Sequence, residues 1–197
     1  MRPELEIISE WIRPGARVLD LGCGDGTLLA HLQAHRRVGG YGLEIDPHKI
    51  VRCIESGVAV LQADLEAGLA GFEDNSFDYV LMTQTLQAVQ HTERLLDEML
   101  RVGRQGIVTF PNFGFWRCRV QLALGGYMPV VKSLPHEWYN TPNIHLFTIR
   151  DFDELCRRKN VDILQRTVMD STHRSSWLER LLPNLLGELA LYRLGRA

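Results

Sequence analysis

Acids and glycines crowd the stretch Arg17-Val18-Leu19-Asp20-Leu21-Gly22-Cys23-Gly24-Asp25-Gly26-Thr27-Leu28-Leu29, with the spacing Gly-x-Gly-x-Gly. Glycines at 22, 24 and 26 let the chain turn sharply and let a ligand approach bare backbone. A helix starting just beyond them offers its free N–H groups to that ligand. A dinucleotide-binding turn needs Gly or Ala where Thr27 stands, and a phosphate-cradling P-loop needs Gly-Lys-Ser/Thr. Asp20 at the strand end and Asp25 in the turn would repel a pyrophosphate. They suit a ligand with a positive end and no phosphate. S-adenosylmethionine, with an ammonium and a sulfonium, is such a ligand. The plain alternative is an ordinary strand-to-helix turn of an α/β protein.

Such a turn needs elements to hold it. Val18, Leu19 and Leu21 form the short apolar run of a strand buried on both faces. A helix over about Pro3–Ile12 precedes it, with Leu5, Ile8 and Ile12 on one face. Leu28, Leu29 and Leu32 give the following helix a buried stripe. Tyr41 to Asp46 reads as strand two, with Glu44 near its end, twenty-four residues after Asp20. An acid there can accept from both hydroxyls of a ribose. The competing role, capping the next helix, already falls to Asp46 followed by Pro47, which leaves Glu44 free. Ile50, Val51 and Ile54 mark that helix's inner face.

Val58 to Leu65 reads as strand three. Asp64 at its end is an acceptor for an adenine amino group, with the Leu65 N–H for a ring nitrogen, or else a surface turn acid. Ser76 to Met82 is strand four, after which Thr83, Gln84 and Thr85 emerge at its carboxyl end, where open α/β sheets bind ligands. A helix over Thr92–Val102 and a strand over Gly106–Phe110 follow. Strands alternating with helices imply a doubly wound sheet with right-handed crossovers. Thr148 with Asp151 starts a further helix. Val161–Met169 is strand six, and Glu188–Leu194 fits the last strand.

The alternation breaks at residues 113–147. They hold seven of the sixteen Phe, Trp and Tyr residues, among them Trp138 and Tyr139. That is too long and too apolar for a plain loop and predicts a lid over the cleft or a surface for a partner.

Composition bounds the rest. The 197 residues suffice for one domain over 1–197, with 113–147 as an insertion, and carry a net charge of −2. That balance gives no electrostatic case for nucleic acid or an anionic membrane. Arg36-Arg37 and Arg157-Arg158-Lys159 read as solvated helix termini. Cys23, Cys53, Cys118 and Cys156 are far apart in sequence and fit neither a disulfide frame nor a metal site, so no metal is expected. Glu4, Glu6 and Glu10 interrupt any leader-like run, no stretch spans a bilayer, and a cytoplasmic location is the expectation.

The glycine block resembles motif I of the class I S-adenosylmethionine-dependent methyltransferases. Over essentially the whole chain the resemblance is to the methionine biosynthesis protein MetW family, carried by Gln84-Thr85-Leu86-Gln87, Phe110-Pro111-Asn112-Phe113-Gly114 and Tyr139-Asn140-Thr141-Pro142-Asn143-Ile144-His145-Leu146. It implies a Rossmann-like α/β fold, with a seven-stranded, mostly parallel sheet, an antiparallel last strand and helices on both faces. It also implies S-adenosylmethionine as cofactor, held by Asp20, Gly22, Cys23, Gly24, Gly26, Glu44, Ile45, Asp64, Leu65 and Thr83. The family's association with a homoserine O-acyltransferase of the α/β-hydrolase type implies a partner. Methyl transfer needs an aligned nucleophile, often a base, and a dry site. His145, His91 and Tyr139 are the candidates, and a structural role suits each as well. Two functions therefore stand open, a regulatory partner subunit and a methyltransferase acting on a small molecule. A nicotinamide oxidoreductase is disfavoured by Thr27 and the two aspartates.

Overall fold

The computed structural model describes residues 3–169 and 181–196. Helix α1 (Pro3–Trp11) leads into strand β1 (Arg17–Leu21), and α2 (Thr27–Arg36) follows the glycine turn. Then come β2 (Gly39–Glu44), α3 (Pro47–Glu55), β3 (Val60–Gln62), β4 (Phe77–Thr83), α4 (Thr92–Val102) and β5 (Gly103–Pro111). The last part holds α5 (Trp116–Val120), α6 (Ile149–Arg158), β6 (Val161–Met169), a short helical turn at Pro183–Leu186, and β7 (Leu189–Arg196).

One seven-stranded sheet runs in the order β3-β2-β1-β4-β5-β7-β6. Strands β1 to β5 pair in parallel, and β7 lies antiparallel to both β5 and β6. Strand order reverses at β1, which has β2 on one side and β4 on the other. Such a switch point leaves a crevice at the carboxyl ends of the strands.

The period-two alternation of the strands builds two cores. On one face Leu19, Val80, Met82, Val108 and Phe110 meet Leu95, Leu96 and Met99 of α4 and Phe152 and Cys156 of α6. On the other, Val18, Tyr79, Leu81 and Ile107 meet Leu5, Ile8 and Ile12 of the α1 region and Leu28, Leu29 and Leu32 of α2. Two-sided burial is why β1 and β4 read as continuous apolar runs.

Some expected boundaries move. Strand β2 starts earlier, because Gly39 pairs with Arg17, and it ends at Glu44. Asp46 takes the cap of α3 as expected, accepting from His48 N at 2.8 Å. Strand β3 shrinks to three residues at the sheet edge: Val58 N is taken by the end of α3, at Cys53 O, and Asp64 caps a short 3-10 turn. The expected face of α3 is corrected at two of its three residues, Ile50 alone being half-buried. Val51 and Ile54 are exposed, and Cys53 is the buried residue.

Candidate functional site

The crevice is built around the glycine turn. Gly22, Gly24 and Gly26 all have left-handed φ, at 70°, 61° and 76°, where side chains are strained. Their surroundings divide the labour. A Cβ on Gly22 would lie 2.7 Å from Thr85 Oγ1, so the turn packs directly on the chain leaving β4. A Cβ on Gly26 would press on Cys53 and Val58. A Cβ on Gly24 would meet nothing within 4 Å, so Gly24 faces open space with bare backbone. Asp20 is fully buried at the end of β1.

Glu44 corrects the expectation that its carboxylate is free. It is 6% exposed and accepts from Gly24 N at 2.9 Å, Ile45 N at 2.9 Å and Asp46 N at 3.0 Å. It therefore staples the glycine turn to the end of β2. A carboxylate has about four acceptor positions, so capacity for a ligand hydroxyl remains. The backbone continues the junction: Gly22 N and Cys23 N donate to Leu43 O, and Ala63 N to Glu44 O. Ile45 is exposed beside this junction, Asp64 is exposed with Leu65 half-buried, and Thr83 is half-buried at the end of β4. The structure thus brings Gly22, Cys23, Gly24 and Glu44 into contact at the ends of β1 and β2, with Thr83 close by through Thr85.

The catalytic candidates do not converge on that turn. His91 and His145 line one cavity of about 840 Å³ between α4 and α6, together with Leu86, Phe147 and Phe152. The loop after β4 separates this cavity from the glycine turn, with Thr85 on the turn side and Leu86 on the cavity side. His145 Nε2 lies 3.2 Å from Gln90 O, a contact that needs the proton on Nε2. Tyr139 joins neither place. It is 70% exposed and meets Trp138 edge-on.

Three features escape sequence reasoning. Gln84 adopts a left-handed φ of 53°, and Gln87 O accepts from both Ile144 N and His145 N, which ties the exit of β4 to the end of the stretch 113–147. Asn112 is buried and fully engaged: it donates to Gly187 O and Asn184 O and accepts from Gly114 N and Ile149 N. These residues stand in stretches that carry the family resemblance, and Gln84 also at the carboxyl end of a strand, but neither signal gives the contacts they make. The third is Cys23 and Cys53. Far apart in sequence, their sulfurs lie 3.8 Å apart beside the turn. Burial, and then the charge of Asp20, push the Cys23 thiol far up. Among the described residues no three His, Cys, Asp or Glu side chains gather as a metal site needs.

Residues 2–194 match the family model for methionine biosynthesis protein MetW. The chain belongs to the MetW family. It is 38% identical over 174 residues to the bifunctional methionine biosynthesis protein MetXA/MetW of Rhodopirellula baltica, covering 84% of this chain and 28% of that protein. Most of that relative therefore has no counterpart here. The fold matches an S-adenosylmethionine-dependent methyltransferase from Mesorhizobium loti at a TM-score of 0.71 and 16% identity, covering 98% of each chain. It also matches one from Thermotoga maritima at 0.69 and 18%, covering 99% of this chain and 88% of that one. This MetW-family chain thus has the class I methyltransferase fold, and no helix among its described residues is long and apolar enough to cross a membrane.

Proposed function

We propose that the chain binds S-adenosylmethionine at the carboxyl ends of β1, β2 and β4, and acts as a regulatory partner of a homoserine O-acyltransferase of the α/β-hydrolase type. The observation that carries the partner is the relative in which a MetXA and a MetW part share one protein. The cofactor half rests on fit. Gly24 offers uncovered backbone, Asp20 and Asp25 favour a cationic ligand over a phosphate, and Glu44 ends β2 with acceptor capacity in hand. Asp64 and the Leu65 N–H flank the adenine end, and Ile45 is an apolar surface for its ring. When bound, the cofactor supplies an electrophilic methyl group, and in a regulatory role it serves as an end-product signal.

The insertion supports a docking role. Phe113, Phe115 and Phe147 pack inward, which meets part of the expectation. Leu124, Tyr127, Trp138 and Tyr139 instead stand 85%, 80%, 71% and 70% exposed. They join none of the buried clusters, and large apolar side chains exposed in such density mark an interaction surface. Its base is rigid, because Asn112 pins the root and buried Glu188 accepts from Ser133 N at 2.9 Å.

The second reading, a methyltransferase acting on a small molecule, is favoured by the cavity that His91 and His145 share. Co-purification with the acyltransferase decides between them. The partner reading expects a stable complex that Trp138→Ala breaks while cofactor affinity holds. The enzyme reading expects no complex, and transfer that His145→Ala impairs.

A further inference from the structure

We propose that Cys23 and Cys53 are a modification site, a thiol pair that a peroxide-class oxidant closes into a reversible disulfide beside the glycine turn. Cys23 belongs to the turn itself and Cys53 to α3, yet their sulfurs are 3.8 Å apart. The backbone keeps this chamber clear. A Cβ on Gly42 would collide with Cys23 Sγ, and one on Gly26 would fall 3.1 Å from Cys53 Sγ. Side-chain rotation then has to close the gap to a bond of about 2 Å. The other two cysteines lie elsewhere, Cys118 in α5 within residues 113–147 and Cys156 between α6 and the sheet.

The chemistry balances without a metal. Cys23, which keeps 7% exposure against none for Cys53, attacks one peroxide oxygen as the thiolate. The O–O bond breaks, hydroxide leaves and takes up the thiol proton as water, and Cys23 becomes a sulfenic acid. Cys53 then attacks that sulfur, the S–O bond breaks, and a second water leaves. Two thiols are oxidised, one peroxide is reduced, and two waters form. Burial and the charges of Asp20, Asp25 and Glu44 hold the pair protonated, so the reaction is slow at neutral pH and speeds up as pH rises.

The consequence falls on the ligand site. Cys53 Sγ donates to Gly24 O at 3.1 Å, and Gly24 N is the amide held by Glu44. A disulfide removes that donor and pulls the sulfur toward Cys23, so both ends of Gly24 shift. This effect rests on the reading that the turn binds S-adenosylmethionine.

The test treats the full chain with hydrogen peroxide at several pH values and follows intact mass, a non-reducing peptide map and calorimetric titration with S-adenosylmethionine. We expect a loss of two hydrogens, a peptide joining Cys23 to Cys53, and affinity reduced by about tenfold or more, the worth of roughly one strong hydrogen bond. Dithiothreitol should restore it. Cys53→Ser keeps a donor to Gly24 O and should show no link and no loss of two hydrogens, its oxidation stopping at Cys23 with the gain of an oxygen. Absence of the joined peptide at every pH, or a joined species with undiminished affinity, overturns the proposal. If the reduced protein binds no S-adenosylmethionine, the cofactor reading fails instead, and the peptide map alone decides the thiol pair.

Discussion

Replacing Glu44 by Ala should cost this protein stability as well as ligand affinity. Three backbone amides point at this one carboxylate, at 2.9, 2.9 and 3.0 Å. A hydrogen bond to a charged group contributes about 1.5–3 kcal/mol net, but three on one side chain do not simply add. The Ile45 and Asp46 amides lie at the exposed start of α3, where water can replace the lost acceptor. The Gly24 bond reaches across twenty residues of sequence and closes the turn, so its loss is not made good locally. We expect Glu44→Ala to lower the free energy of unfolding by about 2–3 kcal/mol. In a chain of this size that is roughly 5–10 °C in Tm. Glu44→Gln should lose most of the same, because its amide nitrogen turns a donor toward a donor. Urea unfolding followed by circular dichroism measures this without ligand. Calorimetry on the folded variant should show S-adenosylmethionine binding weakened by about 1–3 kcal/mol, or roughly 5- to 150-fold. An unchanged unfolding midpoint would mean that the carboxylate does not staple the turn. Lost stability with unchanged affinity would move the ribose contact away from Glu44.

Other expectations follow from the same geometry. Gly22→Ala forces a Cβ to 2.7 Å from Thr85 Oγ1 and should melt well below Gly24→Ala, whose Cβ enters open space and costs mainly the left-handed strain of about 1–2 kcal/mol. Gly24→Ala should nevertheless abolish S-adenosylmethionine binding, and a variant that melts and binds like the parent would remove the turn from the site. Trp138→Ala, at a side chain 71% exposed, should change unfolding by no more than about 0.5 kcal/mol while losing the acyltransferase in pull-down, and a retained partner would refute that anchor. Glu154 is held down from 4.5 to about 2 by its hydrogen bonds to Arg157 and Arg158. Its folded pKa is the lower one, so its contribution is present above about 4.5 and fades as pH falls toward 2. Glu154→Gln should flatten the Tm profile in that window, and parallel profiles would show that the exposed pair contributes nothing.

Local rules made much of the fold readable. An apolar run with three glycines marked β1 and its turn, Asp46-Pro47 marked the start of α3, and the reciprocal cap of Thr148 with Asp151 marked α6. Edge position hid the true length of β3, since no neighbour beyond it extends the ladder. The 3.6 period of Ile50, Val51 and Ile54 points to one face of α3, yet Val51 and Ile54 stand exposed and only Ile50 is half-buried. The decisive contact is a small thiol fitting against Gly24 O and Gly26, which periodicity does not register. Glu44 read as free because its main partner, Gly24 N, is brought to it only by the pairing of β1 with β2. Aromatic density marks residues 113–147 but not the direction the rings face: Phe113, Phe115 and Phe147 pack inward, while Tyr127, Trp138 and Tyr139 stand exposed.

The proposed function requires that ligand binding at the glycine turn reach a partner. The direct measurement is the rate of the homoserine O-acyltransferase with and without this protein, titrated with S-adenosylmethionine, beside Glu44→Ala as a control. We predict that the protein changes the rate, that S-adenosylmethionine shifts this effect at saturable concentration, and that Glu44→Ala responds only at much higher concentration. A rate indifferent to the protein, or an effect of the protein that S-adenosylmethionine does not alter, would contradict the account.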